Sequence, residues 1–151
     1  MSRPFYEKPS DLKKERDAVK PLIELWGLEL HKTKPAYFFD FCAHRGKDKE
    51  VIAAMEVKCR EGFTSSEMDR MGGLFISAHK LMNLRLWMAT FSLPIIIIAR
   101  MSDGLFSYTI KPDQKFPKFK VVIGGRKDRH DPDDIEPCAL IPMKNFSKVL
   151  S

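Results

Sequence analysis

The most apolar run of the chain is Leu93 to Ala99, with four consecutive isoleucines at Ile95 to Ile98 and Pro94 ahead of them. It is far too short to cross a bilayer, which takes roughly 20 apolar residues as a helix. It reads as a buried strand. With 44% hydrophobic residues in 151, there is material for a core around it, and the length fits one compact domain over residues 1–151. Charged residues make up 30% and no long stretch lacks apolar residues, which excludes a disordered chain. The net charge of +6 leans toward a polyanionic partner, nucleic acid or an anionic surface, although a basic soluble protein has the same balance.

Other elements follow from pattern and punctuation. Ser10 is a candidate N-cap for a helix whose apolar positions are Leu12, Val19, Leu22, Ile23 and Trp26, with a boundary expected near Pro21. Leu28 to Thr33 reads as a first strand, Ala36 to Ala43 as a second and Val51 to Cys59 as a third. The polar turn Arg45 to Lys49 makes the last two an antiparallel hairpin. Met68 to Phe91 has helical spacing, with Gly72-Gly73 blurring its start. Leu105 to Ile110 follows the turn Ser102-Asp103-Gly104. Phe116 to Ile123 and Cys138 to Ile141 are further strand candidates, and Met143 to Val149 a terminal helix.

Several acidic residues stand where an apolar one would cost less. Asp40 interrupts the aromatic run Tyr37 to Phe41, and Glu56 lies within Ala53 to Val57. Glu15 falls on the inward stripe of the first helix, where a carboxylate needs compensation. Lys58 shares a strand face with Glu56, because alternate residues do. Asp40 and Glu56 are also equidistant from Asp48, the middle of the polar turn. A tight turn centred there makes them cross-strand neighbours, with Cβ atoms roughly 4.5–5.5 Å apart. Carboxylates that close repel unless a cation lies between them, and hard oxygen donors suit Mg²⁺ or Mn²⁺.

Phe39-Asp40, a spacer of hairpin length and then Glu56-Val57-Lys58 resembles the PD-(D/E)XK nuclease superfamily, in its small phage-type members. The resemblance covers roughly the first two-thirds of the chain. Phe39 stands where the motif's proline would be. The resemblance implies an α/β fold with a restriction-endonuclease-like core, αβββαβ, its central mixed sheet flanked by helices. It implies Mg²⁺- or Mn²⁺-dependent hydrolysis of DNA phosphodiesters, of a structure-selective or repair and recombination type. Asp40, Glu56 and the Val57 carbonyl would hold one divalent ion, or two with help from Glu15, and Lys58 would orient or deprotonate a water or stabilise developing charge. Ser77 and Lys80, on one face of the second helix, would lie near the scissile phosphate. Lys13, Lys14 and Arg16 would touch the DNA backbone, or simply form the wet face of their helix. A homodimer is expected where both strands are cut.

The plainer alternatives are specific. Glu56 and Lys58 would be an ion pair on an exposed strand, but Ala53, Ala54, Met55 and Val57 leave little exposed face. Cys42, His44 and Cys59 lack zinc-site spacing and a fourth ligand. Three cysteines in all argue for reduced thiols. The acidic cluster Asp128, Asp131, Asp133, Asp134 and Glu136, beside Arg126, Lys127, Arg129 and His130, lacks the glycine of a calcium loop and reads as solvated. The polar start Met1 to Ser10 is unlike a signal peptide, so the expected place is the cytoplasm of a bacterium or phage-infected host, away from membranes. Competing functions are a non-catalytic nucleic-acid-binding protein and a phage-type protein-interaction module that keep the fold.

Overall fold

The computed structural model describes residues 9–34, 37–125 and 135–151. It opens with helix α1 (Pro9–Trp26), followed by strands β1 (Glu29–Lys32), β2 (Phe41–His44) and β3 (Ala53–Arg60). Helix α2 (Ser65–Arg70), strand β4 (Leu74–Ser77) and helix α3 (Ala78–Phe91) lead into β5 (Ile95–Met101) and β6 (Gly104–Ile110). Strands β7 (Lys120–Gly125) and β8 (Ile135–Ile141), a 3-10 turn (Met143–Asn145) and β9 (Ser147–Leu150) complete the described chain.

Six strands form the main sheet in the order β1-β2-β3-β5-β6-β9, and β4-β8-β7 form a second sheet. β3 and β5 run parallel, joined by the crossover that carries α3, while the other neighbours are antiparallel. Strand alternation splits the core in two. On one face Ala53, Met55, Val57, Ile96 and Ile98 meet Ala18, Val19 and Leu22 of α1. On the other, Ala54, Ile95, Ile97 and Ala99 meet Leu81, Leu84 and Met88 of α3. The fold class is therefore α/β, a central mixed sheet flanked by helices. Its α1-β1-β2-β3-α3-β5 core is the restriction-endonuclease-like αβββαβ order, with α2 and β4 inserted. Among the described residues, no helix is long and apolar enough to cross a membrane.

Four local expectations are corrected. α1 continues through Pro21. A proline removes one backbone hydrogen bond, but the buried stripe of Ala18, Val19 and Leu22 holds the helix on both sides of it. The single helix expected over Met68 to Phe91 is α2, β4 and α3. Gly72 and Gly73 break it at φ of 102° and 124°, and a Cβ on Gly73 would lie 2.3 Å from the Ile141 carbonyl oxygen. That close approach lets Leu74–Ser77 pair with β8. β2 starts at Phe41 rather than Ala36, and residues 38–40 form a bend. The terminal helix expected over Met143 to Val149 is reduced to one 3-10 turn, after which β9 pairs with β6.

Candidate active site

The hairpin between β2 and β3 sets the site. Its ladder pairs Phe41 with Met55, Cys42 with Ala54 and Ala43 with Ala53. Asp40 lies in the bend just before that ladder and is held against β3 beside Glu56, its N–H on the Met55 carbonyl and its carboxylate on the Val57 N–H. Asp48 organises the turn: its carbonyl lies 3.2 Å from His44 Nδ1, and its side chain accepts from the Glu50 N–H at 3.0 Å. Asp40 and Glu56, at 8% and 1% exposure, are the buried charged side chains among the described residues. Buried charges without compensation are costly, so these two positions mark the candidate site.

The bend before β2 is fixed from several sides. Phe39 is buried and packs edge-on against Trp87 of α3, with ring centroids 4.9 Å apart. Thr33 N–H donates to the Asp40 carbonyl at 2.9 Å, and the Thr33 hydroxyl reaches the Phe39 and Asp40 carbonyls. Asp40 N–H donates to the Met55 carbonyl at 3.0 Å. The Asp40 side chain in turn accepts the Val57 N–H at Oδ2, at 2.8 Å. The carboxylate is thus bonded directly to the backbone of β3.

Glu56 and Lys58 alternate with Ala54 on the face that packs against α3. Lys58 Nζ lies 3.3 Å from Glu56 Oε1, and Lys80 Nζ, from the first turn of α3, lies 3.1 Å from the same oxygen. Glu56 Oε2 is buried with no hydrogen-bond partner among the described residues. Burial pushes the Glu56 carboxyl above its ordinary value; the Lys58 and Lys80 charges oppose that shift, and Asp40 adds to it. Burial also acts to lower Lys80, but Glu56 and Asp40 outweigh it, so the ammonium is held above its usual range.

Glu15 joins the group through a residue that sequence reasoning missed. Lys32 Nζ, on β1, lies 3.3 Å from Glu15 Oε2 and 3.7 Å from Asp40 Oδ1. Lys32 is paired with Phe41, and its ammonium sits 5.3 Å from the centre of that ring. Its signal in sequence is only a lysine at the end of a short strand. Lys80, expected near the scissile phosphate, is paired with Glu56. Ser77 ends β4, paired with Cys138, so the shared helical face with Lys80 does not exist. Lys13, Lys14 and Arg16 are exposed on α1 beside Glu15.

Among the described residues, no three His, Cys, Asp or Glu side chains form a group that could hold a metal ion. Within the expected acidic set, the Lys32 ammonium lies close to both Glu15, at 3.3 Å, and Asp40, at 3.7 Å. The Asp40–Glu56 pair remains suitable for a hard divalent cation, since both are carboxylates and Glu56 Oε2 is an unused buried acceptor. Cys42 and Cys59 are half-buried and free; burial, with Glu61 and Glu15, pushes the Cys59 thiol up to about 11. Asp128, Asp131, Asp133 and Asp134, with Arg126, Lys127, Arg129 and His130, lie outside the described residues.

A mixed sheet with an aspartate at the bend just before one hairpin strand and a Glu-x-Lys on the other has a PD-(D/E)XK-type nuclease architecture. The chain belongs to the family described as "Phage putative PDDEXK endonuclease", whose model matches residues 1–149. No curated protein matches the chain. Among solved structures it is similar to Archaeoglobus fulgidus Hjc, a Holliday junction resolvase from an archaeal hyperthermophile, at 17% identity and a TM-score of 0.43. That similarity covers 70% of this chain and 83% of that one.

Proposed function

We propose that this chain hydrolyses DNA phosphodiester bonds with the help of Mg²⁺ or Mn²⁺, using Asp40, Glu56 and Lys58 with support from Glu15. The observation that carries this reading is Glu56. A carboxylate at 1% exposure, in a strand otherwise built for the core, is kept beside a second buried carboxylate and two lysines. Burial of that kind is expensive for stability and is typical of groups tuned for chemistry.

Asp40, Glu56 and the Val57 carbonyl would hold the ion. When bound, it supplies Lewis-acid polarisation of a phosphate oxygen and lowers the pKa of a water. The protein's own contribution is positional. The Val57 N–H fixes Asp40. Lys58 and Lys80 both address Oε1 of Glu56, opposing the upward push of burial on its carboxyl, and leave Oε2 as a metal ligand. Lys58, at 23% side-chain exposure, is more open to solvent than Glu56 and places a positive charge where negative charge develops on the phosphate. Exposed Lys13, Lys14 and Arg16, in the turn of α1 around Glu15, would contact DNA phosphates. Recognition through phosphates supports a structure-selective rather than base-reading enzyme, of the repair or recombination kind.

The test is cleavage of single-stranded, duplex and branched DNA in Mg²⁺, in Mn²⁺ and in EDTA, with Asp40→Ala and Lys58→Ala alongside. The expected result is metal-dependent cleavage that both substitutions abolish, strongest on branched DNA. Cleavage in EDTA, or cleavage that survives both substitutions, overturns the assignment.

A further inference from the structure

We propose that Lys32 takes the place of a second divalent ion, so that this site binds one metal ion and not two; the inference rests on the metal-dependent reading above. Three acidic side chains invite a two-ion site, with one ion between Asp40 and Glu56 and another between Asp40 and Glu15. The two halves of the cluster are not equivalent. On the Glu56 side, Lys58 and Lys80 both address Oε1, and among the described residues no ammonium is paired with the buried Oε2. On the Glu15 side, the Lys32 ammonium lies between the carboxylates, 3.3 Å from one and 3.7 Å from the other.

Lys32 is built into that position. β1 pairs it with Phe41, whose ring faces its ammonium, and the next residue, Thr33, is hydrogen-bonded to the Phe39 and Asp40 carbonyls. The strand that delivers the lysine is therefore fastened to the bend that delivers Asp40. Moving the ammonium away means giving up two ion pairs and a ring contact together.

Charge balance points the same way. Lys32, Lys58 and Lys80 match Glu15, Asp40 and Glu56 one for one. One divalent ion leaves the cluster with two positive charges, suited to a phosphodiester and the charge it develops. A second would leave four in a largely buried space, where like charges repel strongly.

Mn²⁺ binding measures this directly, by counting bound ions from the electron paramagnetic resonance signal of free Mn²⁺. The expected stoichiometry is one per wild-type chain, one in Lys32→Arg, and two in the neutral variants Lys32→Met and Lys32→Gln, each checked for folding by circular dichroism. Adding Glu15→Gln to Lys32→Met should return the number to one. Two ions in the wild type, or one in both neutral variants, overturn the role of Lys32 and leave the nuclease site standing. No bound ion in the wild type overturns both.

Discussion

β3 and β5 lie side by side and parallel at the centre of the main sheet, Glu56 paired with Ile97 and Lys58 with Ala99. Their surroundings match: the same helices cover both strands, and Ile97 and Glu56 are equally shielded from water. Their chemistry does not. Ile95 to Ile98 are all buried, each apolar side chain contributing about 1.5–3 kcal/mol. Glu56 occupies the equivalent environment at a desolvation cost of several kcal/mol, offset by Lys58 and Lys80. β5 thus holds the fold together while β3, in the same setting, spends stability on a buried charge, the one the proposed reaction would use.

The most severe way to break this contrast is to charge the apolar strand. Ile97→Glu would place a carboxylate next to Glu56 with no lysine aimed at it, and should cost about 3–5 kcal/mol in urea unfolding. Next in size is Lys58→Met, which should fold normally but lose about 10²–10³-fold in cleavage rate if its charge meets the transition state. The reverse experiment makes β3 resemble β5. The combination Glu56→Leu, Lys58→Met and Lys80→Met should abolish cleavage while raising stability by about 1–4 kcal/mol, read as an increase in Tm.

The smallest effect concerns a charge at the open end of β5. Asp103 accepts hydrogen bonds from the hydroxyl and N–H of Ser65, at 2.6 and 2.9 Å, and the Ser65 hydroxyl above all holds its carboxyl below the ordinary value. A depressed folded-state pKa adds stability above the unfolded pKa, near 4 for aspartate, and loses it as pH falls through the folded value. A thermal melting series between pH 6 and pH 2 should show Asp103→Asn losing that acid-side dependence by a small margin, far below any effect at Glu56.

The contrast between the strands was legible before the structure because both signals are local. Four isoleucines after a proline mark β5, and the acidic residues Asp40 and Glu56 stand out in otherwise apolar segments; the pairing expected from symmetry about Asp48 stops at Phe41 and Met55, with Asp40 in the bend beyond. What stayed hidden depends on partners distant in the chain. Leu74 to Ser77 fit a helical spacing, and only pairing with Cys138 to Ile141 makes them a strand. Ser147 to Leu150 is a strand because the edge of β6 is there to receive it. Lys32 carries no motif, and Lys80 is named only through the resemblance, for the phosphate and not for Glu56. Their roles come from two elements, β1 and α3, meeting at carboxylates that the sequence places elsewhere.

The most direct test of the claim that β3 keeps its charge for chemistry is Glu56→Gln, nearly the same shape without the ionisable oxygen. Cleavage of branched DNA in Mg²⁺ should be measured with a melting curve on the same sample. The expected result is a folded variant with cleavage lost. Cleavage at the wild-type rate by this variant would contradict it.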